Sequence, residues 1–108
     1  MAGIIVQDDN TFSTTFITEI LRREGYTVRT ASRITKELSA ESPDLIIMYD
    51  DGEILPDIRQ LAIMKRRFTF KESELRRAGV CCILNTDVTE IVCIIRDYLL
   101  ILPNPPAE

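Results

Sequence analysis

The chain contains no histidine, and this absence removes several kinds of chemistry at once. Without an imidazole there is no Ser-His-Asp or Cys-His catalysis and no histidine-ligated metal site. The four glycines never fall in the Gly-x-Gly-x-x-Gly spacing of a nucleotide-binding loop. No apolar run approaches the roughly 20 residues that span a bilayer. These absences argue against an enzyme and against a membrane protein.

Cysteine is scarce, and the three copies are odd in number. Cys81 and Cys82 are adjacent, a spacing that seldom forms a disulfide because the geometry is strained. Together with Cys93 they lie among Ile, Val and Leu, so we expect reduced, buried thiols that pack as small hydrophobic groups. A small redox protein using Cys81 and Cys82 is a remote alternative, since no histidine is present to activate a thiolate.

Charge of neither sign dominates the 108 residues, which carry 13 Lys and Arg against 17 Asp and Glu for a net charge of −4. This balance argues against nucleic acid as the main partner. Basic residues gather between Lys65 and Arg77, where they suit a solvated face or a protein-docking surface. The start, Met1-Ala2-Gly3, lacks the basic region of a signal peptide, so we expect a cytoplasmic protein.

Two short apolar runs, at 4–6 and 45–48, are each followed by carboxylates. Unbroken apolar runs suit strands covered on both faces, as in a parallel sheet, whose ligand sites lie at the carboxyl ends of its strands. We therefore expect one acidic crevice at these two strand ends. The same acids are also common at strand-to-helix turns without any function. The carboxylates concerned are Asp8, Asp9, Asp50 and Asp51.

Strand and helix signals alternate along the first half of the chain. A helix with apolar residues at helical spacing follows the first strand and ends at Gly25. A β-branched stretch over 26–31 predicts the second strand, and a short helix over 32–40 precedes the strand at 45–48. The order βαβαβ with short connections predicts right-handed crossovers and a doubly wound parallel sheet.

The second half repeats this pattern. The Thr-x-x-Glu sequence at 69–72 has the form of a capping box and predicts a helix that ends at Gly79. A strand over 80–84 and a last helix with an apolar face follow. The Pro-rich segment 103–108 cannot be helical, so we expect it to form a tail after a domain of residues 1–102.

The segment between these halves admits two interpretations. A helix over 54–66 would leave four strands in the sheet, whereas a fourth strand within 58–64, after a very short connection, would make five. The spacing slightly favours the helix, although 61–64 is also a short apolar run. The residues that fit a helical face are Ile54, Ile58, Leu61 and Met64.

Five pieces of sequence occur in an order and spacing that match a known family. They are Ile4-Ile5-Val6-Gln7-Asp8-Asp9-Asn10, Leu21-Arg22-Arg23-Glu24-Gly25-Tyr26-Thr27-Val28, Thr30-Ala31-Ser32, Pro43-Asp44-Leu45-Ile46-Ile47 and Arg77-Ala78-Gly79. The chain thereby resembles the receiver domains of two-component response regulators over nearly its whole length. The resemblance implies an α/β, flavodoxin-like (CheY-like) doubly wound sheet of four or five strands flanked by helices, shortened after the third strand. It also implies a signalling role with a protein partner or a sensor kinase.

The family's phosphorylation chemistry needs an acceptor Asp at the end of the third strand and an acid pair after the first strand to hold Mg²⁺. By this resemblance the acceptor position falls on Tyr49, and the phosphoacceptor candidate Asp50 comes one residue late. The acid pair falls on Gln7 and Asp8, and a neutral amide ligates a hard cation more weakly than a carboxylate does.

The family's lysine after the fifth strand falls on Thr86, beside Asn85, and neither neutralises phosphate charge as lysine does. We therefore expect a degenerate receiver that acts through protein contacts, without normal aspartate phosphorylation, cofactor or enzymatic activity. The alternative is a Mg²⁺-dependent phosphoacceptor in a phosphorelay, in which Asp50 accepts the phosphoryl group and Asp8 and Asp9 join it in holding the metal.

The last helix carries more apolar residues than one side can bury, which suggests a homodimer through this helix. The residues expected at that interface are Ile94, Tyr98, Leu100 and Ile101.

Overall fold

The computed structural model describes residues 3–8, 12–49, 51–66, 69–84 and 88–101. The elements in these ranges are β1 Gly3–Gln7, α1 Phe12–Arg23, β2 Thr27–Ala31, a 3₁₀ helix Lys36–Glu41, β3 Leu45–Tyr49, β4 Gln60–Met64, α2 Phe70–Arg77, β5 Cys81–Leu84 and α3 Val88–Ile101. The five strands form one parallel sheet in the order β2-β1-β3-β4-β5. This confirms the flavodoxin-like prediction. No helix in the described ranges is long and apolar enough to cross a membrane.

Each face of the sheet carries its own hydrophobic cluster, because successive strand residues point to opposite sides. One cluster joins Ile47 and Leu61 to Leu21 of α1 and Ile91 of α3. The other packs the opposite strand face against α2, the 3₁₀ helix and the loop before β4. All five residues of β3 and all five of β4 are buried, as expected for central parallel strands covered on both faces.

Glycines end two of the helices, as predicted. Gly25 has φ 99°, its N–H donates to the Arg22 carbonyl at 3.0 Å, and the N–H of Tyr26 donates to the Leu21 carbonyl at 3.1 Å. This pair of bonds is the Schellman motif, which requires a left-handed residue and therefore favours glycine. Helix α2 ends in the same way at Gly79, whose φ is 87°.

Two more of the predicted helices are present. The Thr69 side chain accepts from the N–H of Glu72 at 3.1 Å and caps α2, as the sequence predicts. The helix expected over 32–40 is a 3₁₀ helix, Lys36–Glu41, followed by Ser42 in the left-handed region at φ 50°.

The predicted helix over 54–66 is wrong, and the alternative of a fourth strand is correct. Gln60–Met64 lies between β3 and β5 and pairs in parallel with both. A strand in this position gains hydrogen-bonded neighbours on two sides and cover on both faces, which outweighs the weak helical spacing. The apolar residues upstream instead pack from the loop, where Leu55 is buried and Ile54 and Ile58 are half-buried.

A buried amide holds the short connection between β3 and β4. Residues 51–59, the described part of the connection from β3 to β4, contain no helix, so this crossover is short for two parallel strands. Gln60 Oε1 accepts from the N–H of Leu55 at 2.7 Å, while its Nε2 donates to the Glu53 carbonyl at 2.7 Å and to Met48 Sδ at 3.2 Å. The side chain thus takes the place of secondary structure in satisfying the loop backbone.

Candidate functional site

The carboxyl ends of β1 and β3 lie side by side, and the side chain of Gln7 connects them. Its Oε1 accepts from the N–H of Tyr49 at 2.9 Å, and its Nε2 donates to Asp51 Oδ1 at 3.0 Å. Gln7 is only 5% exposed, whereas Asp51 is exposed. An amide performs both tasks because it donates and accepts, which an ionised carboxylate cannot do.

Tyr49, the predicted switch position at the end of β3, is buried in the hydrophobic cluster beneath α1 and α3. Its hydroxyl lies 3.2 Å from Thr14 Oγ1, and both side chains are buried. The ring shares the strand face of Ile47, two residues earlier. Position 49 is therefore part of the packed core.

Asp8 follows Gln7 directly after the end of β1. Its N–H donates to the Ala31 carbonyl at 2.8 Å, which extends the contact between β1 and β2 by one residue. The side chain lines a polar hollow beside α1, together with Thr14, Thr18 and Thr30. Asp51 lines a hollow that it shares with Gln7. Because Asp9 and Asp50 lie outside the described residues, the single acidic crevice stays a prediction.

No group of three or more Cys, Asp and Glu side chains in the described ranges is arranged to hold a metal ion. Asp9 and Asp50, two of the three predicted Mg²⁺ ligands, lie outside the described residues. The same is true of Asn85 and Thr86, and of the tail 103–108. The predictions that rest on these residues stay predictions.

The predicted interface on α3 is described only in part. Ile94 and Tyr98 are half-buried, and the side chains of Leu100 and Ile101 lie outside the description. Burial raises the pKa of the Tyr98 hydroxyl; the neighbouring Cys81 adds to this and the Arg59 guanidinium opposes it. Tyr98 packs against the cluster beneath α1 and α3, so part of the predicted interface serves the internal core.

The surroundings of the cysteines argue against a redox pair. Cys81 and Cys82 are consecutive residues of β5, and they join the clusters on opposite faces of the sheet. Burial raises the pKa of the Cys81 thiol, an effect that the Arg76 guanidinium partly offsets, and a raised pKa reduces the thiolate needed for exchange. All three thiols are free, but the prediction that all are buried is wrong for Cys93, which lies on the solvent side of α3.

Solved structures of receiver domains have the same architecture over almost the whole chain. A response regulator receiver domain protein (CheY-like) from Methanospirillum hungatei JF-1 has a TM-score of 0.71 at 16% identity, covering 92% of this chain and 94% of that one. The chain has the receiver fold. A response regulator from Desulfuromonas acetoxidans has a TM-score of 0.69 at 15% identity, covering 95% and 100%. No family model and no curated protein matches the sequence.

A third structure with the same fold contains a phosphorylated residue and a bound cation. It is a response regulator protein from Burkholderia pseudomallei with a phosphorylated aspartic acid, a calcium ion and citrate. Its TM-score is 0.63 at 19% identity, and the match covers 95% of this chain and 76% of that one. At these identities the likeness establishes the fold alone.

Sequence reasoning missed two buried polar side chains, Thr14 beside Tyr49 and Gln60 at the start of β4. It named Gln7 but not the hydrogen bonds of its side-chain amide, because these depend on partners brought near by the fold. One signal was present in the sequence: Gln60 is a polar residue at the start of an apolar run, where an unsatisfied amide would be costly.

Proposed function

We propose that the chain is an atypical receiver domain that acts in signalling through protein contacts, without phosphorylation of an aspartate at the end of β3. The observation that carries this proposal is Tyr49. The resemblance gives its position to the acceptor, and here the side chain is packed in the core with its hydroxyl on Thr14. A phosphoacceptor needs a carboxylate that a donor and a metal can reach, and a buried phenol offers neither property.

Gln7 supports the same proposal by a separate argument. In the metal-binding arrangement a carboxylate at this position would face Asp51, and the repulsion between the two charges would need a cation to offset it. The amide of Gln7 instead donates to Asp51 at 3.0 Å and accepts from the N–H of Tyr49, so this repulsion does not arise. We propose that the edge of the sheet functions in this metal-free arrangement.

The second candidate is a Mg²⁺-dependent phosphoacceptor in a phosphorelay, with a sensor kinase as the donor. The phosphorylated aspartic acid and calcium ion in the Burkholderia pseudomallei structure favour it, since they show that a protein with this fold supports such a site. In this chain Asp50 would accept the phosphoryl group, with Asp8 and Asp9 assisting in metal binding. For either candidate we propose that the protein is cytoplasmic and acts with a protein partner.

Intact-mass measurement separates the two candidates. The full chain is incubated with acetyl phosphate and Mg²⁺, next to the variants Asp50→Asn and Asp51→Asn and a receiver domain known to be phosphorylated under the same conditions. We expect no phosphoryl group on the wild-type chain. A phosphoryl gain that Asp50→Asn abolishes and Asp51→Asn retains would overturn the proposal and establish the phosphoacceptor.

Thermal unfolding with and without Mg²⁺ provides an independent check. A ligand that binds only the folded state raises its stability in proportion to the logarithm of its concentration above Kd. We expect the wild-type midpoint to be the same with and without millimolar Mg²⁺. A rise in the midpoint that Asp8→Asn removes would show that the acidic edge binds metal and would contradict the metal-free arrangement.

A further inference from the structure

Phe70, the first residue of α2, is almost fully exposed, with 98% of its surface open to solvent. In the described part of the chain only one other large apolar side chain is exposed, Leu84 at 37%. Leu84 ends β5 in register with Met64, the last residue of β4, and α2 begins shortly after Met64. Both exposed side chains therefore lie at the carboxyl end of the sheet. A ring kept in water at this position is a source of binding energy for a partner that covers it.

Exposed positive charge accompanies this ring. Lys65 and Arg66 follow β4 directly and are exposed, and the half-buried Lys71 follows Phe70 on α2. The Nζ of Lys71 lies 3.9 Å from Glu74 Oε2, and a long, solvated ion pair of this kind holds its two charges only weakly. We call Lys65, Arg66, Phe70 and Lys71 the α2 patch.

Arg76 of α2 is not part of the patch, because it is engaged within the protein. Its Nε donates to Glu72 Oε2 at 3.0 Å, and its Nη2 donates to the Cys82 carbonyl of β5 at 3.3 Å. The Glu72 side chain is only 5% exposed, so its carboxylate depends on this ion pair for compensation. The role of Arg76 is thus internal, whereas the exposed cations of the α2 patch have no comparable buried acid to compensate.

The distribution of charge along the chain shows what kind of partner suits the patch. Residues 65–77 contain six of the 13 Lys and Arg and only two of the 17 Asp and Glu, so the rest of the chain is strongly acidic. A duplex nucleic acid or an anionic membrane would bring its charges near that acidic remainder as well. A short acidic segment would meet chiefly the local positive field, because salt screens charges beyond about 10 Å.

We propose that the α2 patch binds an acidic segment of a partner protein. An apolar residue of that segment covers Phe70, and its carboxylates face Lys65, Arg66 and Lys71. The ring supplies contact area that is removed from water, and the cations supply orientation and a faster association rate. This inference rests on the proposed function, for which it names the chemistry of the partner.

Fluorescence anisotropy of a short labelled peptide made of glutamate and leucine, titrated with the full chain, tests the patch. We expect saturable binding that weakens as salt is added. Phe70→Ala and Arg66→Glu should each weaken it at least about tenfold, the loss typical of a central contact. A peptide with serine in place of leucine should bind wild type more weakly, but the two peptides should bind Phe70→Ala alike, because the missing ring is their point of difference.

The matched control is Arg33→Glu, which makes the same charge reversal at an exposed position after β2. It lies three strand spacings from the end of β4, about 14 Å, which exceeds the range of screened charges, so its affinity should stay near that of wild type. Because Phe70 is exposed, Phe70→Ala should keep the wild-type circular dichroism spectrum.

Three results would overturn the α2 patch: a wild-type chain that does not bind the peptide, folded Phe70→Ala and Arg66→Glu variants that bind as wild type does, or an Arg33→Glu variant as impaired as Arg66→Glu. Binding to phosphatidylserine vesicles or duplex DNA that exceeds peptide binding and is lost in Phe70→Ala would overturn the choice of an acidic protein segment.

These titrations contain neither a phosphoryl donor nor Mg²⁺, so their outcome is separate from that of the mass measurement. Loss of the peptide result removes the α2 patch alone, whereas a phosphoryl group on Asp50 removes the proposed function and leaves the peptide result standing.

Discussion

Replacing Gln60 by methionine removes the amide that holds the connection between β3 and β4. Methionine preserves the length and flexibility of the side chain but neither donates to the Glu53 carbonyl nor accepts from the N–H of Leu55. Both bonds are 2.7 Å long in the wild type, and Leu55 is only 2% exposed, so water does not readily replace the lost acceptor. The variant therefore leaves two backbone groups of the loop without their partner.

The magnitude follows from the cost of an orphaned polar group, which is about 1–3 kcal/mol. Two such groups would lower the free energy of unfolding by about 2–6 kcal/mol. Part of this loss is offset, because methionine does not carry the desolvation cost of a buried amide. We expect the free energy of unfolding to fall by about 2–4 kcal/mol, a large share of the 5–15 kcal/mol typical of a domain. The lost hydrogen bonds all belong to this loop, so the backbone N–H of Leu55 should also exchange its hydrogen faster.

Urea unfolding followed by circular dichroism measures this loss, and hydrogen exchange locates it. The matched control is Asp57→Asn, an exposed position in the same loop, for which we expect a change within about 0.5 kcal/mol. A Gln60→Met variant as stable as the control, with the Leu55 amide exchanging as slowly as in wild type, would refute the role given to the buried amide.

Three further predictions concern glycines and thiols. In Gly25→Ala the new Cβ has no atom within 4 Å, so the free energy of unfolding should fall only by the strain of an alanine at φ 99°, about 1–2 kcal/mol. In Gly52→Ala the new Cβ overlaps the buried Met48 Sδ, and this overpacking should lower the free energy of unfolding by about 1–3 kcal/mol. In urea unfolding, truncation of Met48 to alanine should reduce the added cost at Gly52 and leave that at Gly25 unchanged. Iodoacetamide at pH 8 should label the exposed Cys93 about tenfold faster than the half-buried Cys81 by peptide mass spectrometry; equal rates would contradict the burial. Because burial raises the folded-state pKa of Cys81, the stability that this thiol contributes should be present below its ordinary pKa and decline as pH rises above it.

The sequence predicted correctly those helix ends that are fixed by one residue and its near neighbours along the chain. Gly25 and Gly79 were recognisable because a left-handed residue at a helix end favours glycine, and Thr69 because a cap bonds to a residue three positions away. The helix predicted over 54–66 failed for the opposite reason. Residues 60–64 form a strand because they pair with β3 on one side and β5 on the other, and these partners belong to other parts of the chain.

The candidate site shows the same division. The sequence placed Gln7 and Tyr49 at neighbouring strand ends, because parallel strands end at the same edge of the sheet. It did not show that Tyr49 turns into the core to meet Thr14, or that the amide of Gln7 donates to Asp51. These contacts depend on which segments pack against each strand end, and spacing along the chain does not encode that.

By itself, therefore, the sequence determined the alternation of strands and helices, the parallel sheet and the absence of imidazole chemistry, since these follow from periodicity, local turn chemistry and composition. Only the tertiary structure decided that Gln60–Met64 is a strand, that Gln7 joins two strand ends through its amide, and that Arg76 reaches the edge of β5. Each of these outcomes depends on hydrogen bonds between groups that the fold brings together, and the spacing of such groups along the sequence follows no fixed rule.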